Sequence, residues 1–335
     1  MKKRIVFAAL IASFVWLAFS GKSDAQTNNR CLAQYWEECW MGDNCAVPWG
    51  WFITGPGPGG WTLGIAAWKC PPQPKCPSCV PTAGRPIYLA TGDTYIEQTD
   101  VSLPGLSGGL TLRRRWNSIW PSTEIPSSLG LFGLNWRSTY EERIFMDGQN
   151  YLTYQRGDGS YWSFGLNDNN QFVVTAPANV WATFVDGGSV LTITFKDAEK
   201  RLFDHTTGFL TAIIDRNGNT TQLTYDSSGR LITVTDPASR HLYFNYGSPY
   251  SSLVTSVTSD FGITLSYAYD SDARLSQVTK PDLTTVSFTY NTGSLITAVT
   301  DNNGKILESH TYDSNLRGLT SSRANGVEAV TITYP

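Results

Sequence analysis

Residues 210–231 read LTAIIDRNGNTTQLTYDSSGRL, and this stretch recurs in altered form along the rest of the chain. Each copy opens with an apolar residue that is followed three positions later by another. The opening residues are spaced by 21, 23, 21, 21 and 20 positions, and they are Leu210, Leu231, Val254, Leu275, Ile296 and Leu316. A tyrosine closes each copy, and these residues are Tyr225, Tyr246, Tyr269, Tyr290, Tyr312 and Tyr334. Six marks at nearly constant spacing indicate a repeat architecture.

Each copy carries the pattern of a β-hairpin. Turn residues such as Asp215–Asn219 (DRNGN) supply the positive φ angles that tight turns need. The strand that follows alternates between apolar and polar residues, as in Val286, Phe288 and Tyr290 with serine and threonine between them. This alternation is typical of a strand with one buried face.

A single copy is too small to fold by itself. Ordering a residue costs about 1–2 kcal/mol in backbone entropy, and one hairpin buries only about three large side chains at roughly 1.5–3 kcal/mol each. We therefore predict an all-β fold in which antiparallel hairpins stack into one continuous sheet that twists and curls. The fifth copy fits least well, because Glu308 and His310 stand at its apolar positions.

The motif Tyr225–Leu231 (YDSSGRL) at this period resembles the YD repeats of the rearrangement-hotspot (RHS) and teneurin-like proteins. Upstream, residues 86–93, 100–105, 109–118 and 133–138 resemble the domain that precedes the repeats in bacterial RHS proteins. The resemblance covers about 86–335. It implies a β-shell, which in the family encloses a C-terminal toxin or another polymorphic domain, and the family also includes cell-surface and adhesion proteins.

The chain departs from the full family pattern at its end. It stops at Pro335, directly after a predicted strand. We therefore expect an N-terminal piece, with the pre-repeat domain and about six YD repeats but without the core and toxin regions. We also expect an open edge at the C-terminal strand, which could pair with another β-repeat chain.

The first residues carry the pattern of a secretory signal peptide. Lys2, Lys3 and Arg4 precede an apolar run at 5–19, which is followed by small residues. We place the cleavage after Ala25, with cleavage after Ser20 as the alternative. Export would make the protein secreted or cell-surface, and no later segment is long and apolar enough to span a membrane.

Cysteine and tryptophan are concentrated in residues 26–85, where no apolar period is visible. We predict a small irregular segment stapled by three disulfides with fifteen alternative pairings, the candidates being Cys31, Cys39, Cys45, Cys70, Cys76 and Cys79. Zinc at Cys76 and Cys79 is the alternative. The tryptophans could stack on sugar rings or fill a small core, and they are Trp36, Trp40, Trp49, Trp51, Trp61 and Trp68. The predicted domains are 1–25, 26–85, 86–205 and 206–335.

Catalytic patterns are weak in this sequence. Arg156-Gly157-Asp158 spells an adhesion tripeptide but reads first as a hairpin turn. We expect His205, His241 and His310 to be surface residues of strands or turns. No nucleophile, dinucleotide or zinc-hydrolase motif is present, and the net charge of −3 argues against nucleic acid as a partner.

These observations predict a non-enzymatic β-repeat scaffold. It would form part of a cell-surface or secreted shell or adhesive protein, without a cofactor or metal. A secreted carbohydrate-binding module is the alternative, with a cell-surface glycan as partner. A secreted hydrolase is the weaker alternative, and it would need two carboxylates at a suitable separation.

Overall fold

The computed structural model describes residues 46–57, 60–69, 82–84, 86–119, 129–146, 152–167, 169, 171–176, 180–323 and 326–334, with the backbone alone for 46–69. Within these ranges the regular structure is β, apart from 3₁₀ turns at Leu106–Gly108 and at Gly326. No helix among them is long and apolar enough to cross a membrane. The predicted all-β class is thereby confirmed.

One antiparallel sheet contains nineteen strands in chain order, each paired with the next. The strands are β10 (Arg143–Met146), β11 (Leu152–Gln155), β12 (Tyr161–Leu166), β13 (Phe172–Ala176), β14 (Ala182–Asp186), β15 (Val190–Phe195), β16 (Lys200–Asp204), β17 (Leu210–Ile214), β18 (Thr220–Tyr225), β19 (Leu231–Thr235), β20 (His241–Tyr246), β21 (Val254–Ser259), β22 (Thr264–Tyr269), β23 (Leu275–Thr279), β24 (Thr285–Tyr290), β25 (Ile296–Asp301), β26 (Ile306–Tyr312), β27 (Gly318–Arg323) and β28 (Val327–Thr331). The predicted stack of hairpins is therefore one continuous sheet.

Nine shorter or separate strands precede this sheet. They are β1 (Ala46–Gly57), β2 (Gly60–Lys69), β3 (Thr82–Ala83), β4 (Ile87–Tyr88), β5 (Tyr95–Leu103), β6 (Leu110–Asn117), β7 (Leu129–Gly130), β8 (Gly133–Leu134) and β9 (Trp136–Ser138). β5, β6 and β9 form a three-stranded sheet, and the other six pair two by two. We call residues 86–119 and 129–142 the plug, because buried side chains among them pack against the inner face of the large sheet.

The segment that we expected to be irregular contains a hairpin. β1 and β2 pair antiparallel from Ala46 opposite Lys69 to Gly57 opposite Gly60. The expectation was wrong for this part of 26–85, because a glycine- and proline-rich run between two apolar stretches can join paired strands. All six cysteines lie outside the described residues.

The sixth repeat begins two residues later than the sequence frame predicted. β27 starts at Gly318, and Leu316 lies in the preceding turn with φ of 66°. Gly229 occupies the corresponding turn position after the first repeat tyrosine, three residues after its aspartate, with φ of 75°. Leu316 is apolar like the residues that open the other copies, but in the structure its side chain is 42% exposed.

Three aromatic residues of the plug meet equivalent inward positions of three successive hairpins. Their ring centroids lie 6.3, 4.8 and 5.1 Å from the facing rings, in the pairs Tyr140–Phe244, Phe132–Tyr267 and Trp136–Phe288. Aromatic pairs at such separations add about 0.5–1.5 kcal/mol beyond their buried area. All six residues belong to one buried cluster that extends from β5 to β25. The plug and the sheet therefore share a single core.

We predict that Trp136→Ala lowers the free energy of unfolding by about 3–5 kcal/mol, the usual cost of truncating a large buried aromatic side chain. Trp136 is completely buried. The measurement is urea unfolding followed by circular dichroism. Trp181→Ala is the control, since Trp181 is 51% exposed and should change stability by no more than about 0.5 kcal/mol. Equal losses in both variants would contradict the shared core.

Candidate functional site

The repeat tyrosines form a row of hydrogen bonds, one within each successive hairpin, which we call the tyrosine seam. Each hydroxyl donates to the backbone carbonyl of the first residue of its own repeat's opening strand, at 2.7–2.8 Å. The pairs are Tyr225–Leu210, Tyr246–Leu231, Tyr269–Val254, Tyr290–Leu275, Tyr312–Ile296 and Tyr334–Gly318. The last pair independently places the start of the sixth repeat at Gly318.

Local backbone geometry brings each tyrosine to the seam. The strand register shifts immediately before five of the six residues, for example between Ala268 and Tyr269. A bulge of this kind bends the strand and re-aims the side chain that follows it. Burial raises the pKa of all six phenols. Each hydroxyl therefore stays protonated and available as a donor near neutral pH.

The aspartate after the tyrosine closes the turn. Asp226 Oδ1 accepts from the backbone N–H groups of Ser228 and Arg230, and its Oδ2 accepts from Arg230 Nε at 2.7 Å. Asp270 and Asp313 hold their turns in the same way. Asn291 makes only the two backbone contacts, with Gly293 and Leu295. The carboxylates of the motif thus have structural roles in turns.

The arginine of each turn reaches the next repeat. Its guanidinium lies over the following seam tyrosine, 4.2–5.0 Å from the ring centroid, in the pairs Arg230–Tyr246, Arg274–Tyr290 and Arg317–Tyr334. Such contacts contribute about 0.5–1 kcal/mol each where solvent is near. Through these contacts the motif Tyr-Asp-x-x-x-Arg holds its own hairpin and turn together and connects them to the next hairpin.

The second copy lacks the aspartate and uses a longer loop instead. Gly247 follows Tyr246, and this copy has the 23-residue spacing. Arg230 Nη1 donates to the carbonyl of Ser251, and the Tyr250 hydroxyl donates to the carbonyl of Asp270. The two extra residues thereby restore contacts to both neighbouring repeats.

The fifth copy keeps its strand although it breaks the apolar pattern. Glu308 and His310 are 9% and 2% exposed, so the expected surface position of His310 was wrong. Asp93 and Thr94 of the plug are fully buried. Burial is the largest cause that raises the pKa of Tyr312, and the charges of Asp93 and Glu308 raise it further. The polar side chains of this repeat thus face a polar part of the plug.

The remaining candidate residues from the sequence lie in a turn, on two strands or outside the described residues. The turn at Arg156–Asp158 is confirmed, since Arg156 N donates to the carbonyl of Ser160 and its side chain pairs with Asp158. Four of the candidate tryptophans lie on β1 and β2, namely Trp49, Trp51, Trp61 and Trp68, whereas Trp36 and Trp40 lie outside the described residues. No group of three potential metal ligands occurs in the described ranges.

A cavity between the plug and the first repeats was not foreseen from the sequence. Its volume is about 230 Å³, and its lining includes Arg137, Glu141, Arg143, Gln155 and Tyr225. Burial lowers the pKa of Arg137 to about 10 and raises that of Glu141. These residues come from β9, the following loop and three different strands, so only the folded sheet brings them together.

We predict that Tyr269→Phe destabilises the chain by about 1–2 kcal/mol. The variant removes the hydroxyl that donates to the carbonyl of Val254, and a buried acceptor left without a donor has a cost of this size. Urea unfolding measures the difference. Tyr243→Phe is the control, because Tyr243 is 38% exposed on the outer face. If both variants unfold alike, the seam does not stabilise the repeats.

We also predict a pH dependence from the repeat turns. The backbone N–H of Arg230, and then its side chain, lower the pKa of Asp226. A lowered folded-state pKa gives a stabilisation that is present above the unfolded value of about 3.9 and is lost as pH falls through the folded value. The urea midpoint of Asp226→Asn should therefore fall less than that of the wild type between about pH 5 and pH 2. Asp272→Asn, at a 63% exposed side chain, should follow the wild type; a reversed ranking would contradict the prediction.

Two family descriptions match parts of the chain. Residues 84–164 match a domain of unknown function (DUF6531), and residues 204–241 match the RHS Repeat. None of the curated proteins is significantly similar in sequence.

Several solved toxin structures are distantly similar. The crystal structure of TcdB2-TccC3-TEV is 15% identical, and that of TcdB2-TccC3 without its hypervariable C-terminal region is 16% identical. In both, the match covers 83% of this chain with a TM-score of 0.29. A Tc holotoxin pore of Photorhabdus luminescens is 12% identical over 70% of this chain, with a TM-score of 0.25. The chain spans 14% of the length of each.

The sequence matches coincide with features that the structure shows directly. The RHS Repeat match contains the first Tyr-Asp-x-x-x-Arg turn, the hairpin of β17 and β18 before it and strand β19 after it. The DUF6531 match contains most of the plug and the first three strands of the large sheet. Residues 204–241 therefore match an RHS repeat, and the tyrosine seam continues the same pattern to residue 334.

Proposed function

We propose that the chain is an exported, non-enzymatic scaffold that acts at the cell surface or outside the cell. It would form part of a shell or adhesive surface linked to intercellular interaction or toxin encapsulation. The observation that carries this proposal is that the polar side chains of each repeat are engaged in structural contacts. Tyrosine, aspartate and arginine of each motif bind backbone, turn and neighbouring repeat, as Tyr225, Asp226 and Arg230 do.

The plug supports the same proposal. Its aromatic side chains occupy the inner face of the hairpins, and its buried Arg114 pairs with Asp100. A sheet whose inner face is filled in this way presents its outer face and its edges to other molecules. We propose a cell-surface glycan or a second β-repeat chain as the partner, the latter at β28.

Export is tested by expressing residues 1–335 in a bacterium with a periplasm. We predict a mature chain that starts at Gln26, identified by its intact mass after fractionation of the cells. Leu10→Arg should abolish export, because it places a charge in the apolar run of the signal peptide. Leu106→Arg is the matched control, since Leu106 is 60% exposed and the variant should be exported normally. A chain that retains residues 1–25 inside the cell would refute the exported role.

A carbohydrate-binding module is the second candidate, favoured by the four tryptophans on β1 and β2. Aromatic side chains on a paired strand can stack on sugar rings. The discriminating experiment is a glycan array probed with the wild type, with Trp49→Ala and with the control Trp181→Ala. Binding that Trp49→Ala alone abolishes would favour the module over the scaffold. Turnover of a glycan or peptide library that one Asp→Asn change abolishes would overturn both.

A further inference from the structure

The cavity between the plug and the first repeats contains an unbalanced positive charge. Glu142 is already neutralised, because its Oε2 accepts from Arg201 Nε at 2.9 Å and from the Tyr154 hydroxyl at 2.5 Å. Arg143, by contrast, makes no ion pair with any carboxylate of the described residues. Its guanidinium lies 4.8 Å from the centroid of the Phe209 ring.

Three buried polar atoms of the cavity lining have no hydrogen-bond partner among the described residues, and one of them is the acceptor Glu141 Oε2, whereas the other two are donors. Arg143 Nε and Gln155 Nε2 are both buried and have no hydrogen-bond partner among the described residues. Both are donors, and both residues line the cavity. Buried donors are normally paired, so two of them beside one cavity require an explanation.

The other charged groups of the cavity do not remove this imbalance. Arg137 Nη1 donates to the carbonyl of Trp136, and Glu141 Oε1 accepts from the backbone N–H of Leu131 at 2.7 Å. Burial raises the pKa of Glu141, which favours its neutral form. Burial lowers the pKa of Arg137 to about 10; the charge of Glu141 opposes this shift and that of Arg143 adds to it, so Arg137 remains cationic at neutral pH.

We propose that this cavity binds a small oxyanion, a carboxylate or a phosphate, through the guanidinium of Arg143 and the side-chain amide of Gln155. The anion would accept from both unpaired donors and balance the charge of Arg143. Arginine matches the geometry of carboxylate and phosphate groups.

The size and position of the cavity fit such a ligand. Its volume of about 230 Å³ is below the usual range for drug-sized ligands of about 300–1,000 Å³, so it suits a compact anion. The exposed residues Leu129 and Ser252 lie at its rim, which gives access from solvent. Sites between two structural units are a common location for small ligands.

The test is isothermal titration calorimetry of the full chain with malonate and, separately, with inorganic phosphate. We expect saturable binding of at least one anion, and the stronger of the two identifies carboxylate or phosphate chemistry. Malonamide, the neutral analogue of malonate, should not bind. Arg143→Met should weaken binding about tenfold or more, as expected for the loss of a charge-assisted contact.

Arg113→Met is the matched control, because Arg113 has a 53% exposed side chain and lies outside the cavity lining. Its affinity should equal that of the wild type. Gln155→Glu provides a second variant if Arg143→Met fails to fold, since a carboxylate of the same size would repel the anion. The proposal is overturned if neither anion binds saturably, if malonamide binds as well as malonate, or if the folded cavity variants bind like the wild type.

Discussion

A buried arginine fixes the position of the plug against the large sheet. Arg114 forms a two-pronged contact with Asp100, whose Oδ2 also accepts from the Tyr267 hydroxyl at 2.7 Å. Burial lowers the pKa of Arg114, but Asp100 more than offsets this and holds the pKa above its ordinary value. A charge buried in a core is costly unless its partner is correctly placed. The Tyr267 hydroxyl therefore connects this buried ion pair of the plug to β22.

The seam and the plug stabilise the repeats in different ways. The tyrosine contacts of the seam close each hairpin and the arginine contacts reach only the next one, as expected for a repeat array whose stability is a sum over neighbours. The plug instead contacts three successive hairpins at once, from β20 through Tyr140 to β24 through Trp136. Because both sets of contacts share one core, the array does not need to be stable hairpin by hairpin.

The sequence predicted the hairpins well because their information is local. The spacing of the tyrosines and the alternation of each strand depend only on residues within one copy. The start of the sixth repeat depends instead on tertiary contact. A Cβ at Gly318 would lie 2.3 Å from Thr94 Oγ1 and 2.9 Å from Ile87 Cδ1. An apolar side chain therefore cannot occupy position 318. The apolar pattern of the sequence was matched instead at Leu316, which lies in the turn.

The cavity could not be predicted for a related reason. Glu141, Glu142 and Arg143 read as an ordinary charged run between strands, and Gln155 is twelve residues further along. Their charges become a site only because the plug covers the inner face of the sheet. The burial of His310 was missed as well, because no residue pattern within its own copy indicates it.

The contact between the plug and the last repeats has a mechanical consequence. Gly318 N donates to the carbonyl of Gly92 at 2.7 Å, which ties β27 to the beginning of the plug. Tension applied at the C-terminal end would therefore load this hydrogen bond early, before it could detach hairpins from the middle of the sheet. Under shear, the chain would resist unravelling from that end in proportion to the strength of this contact.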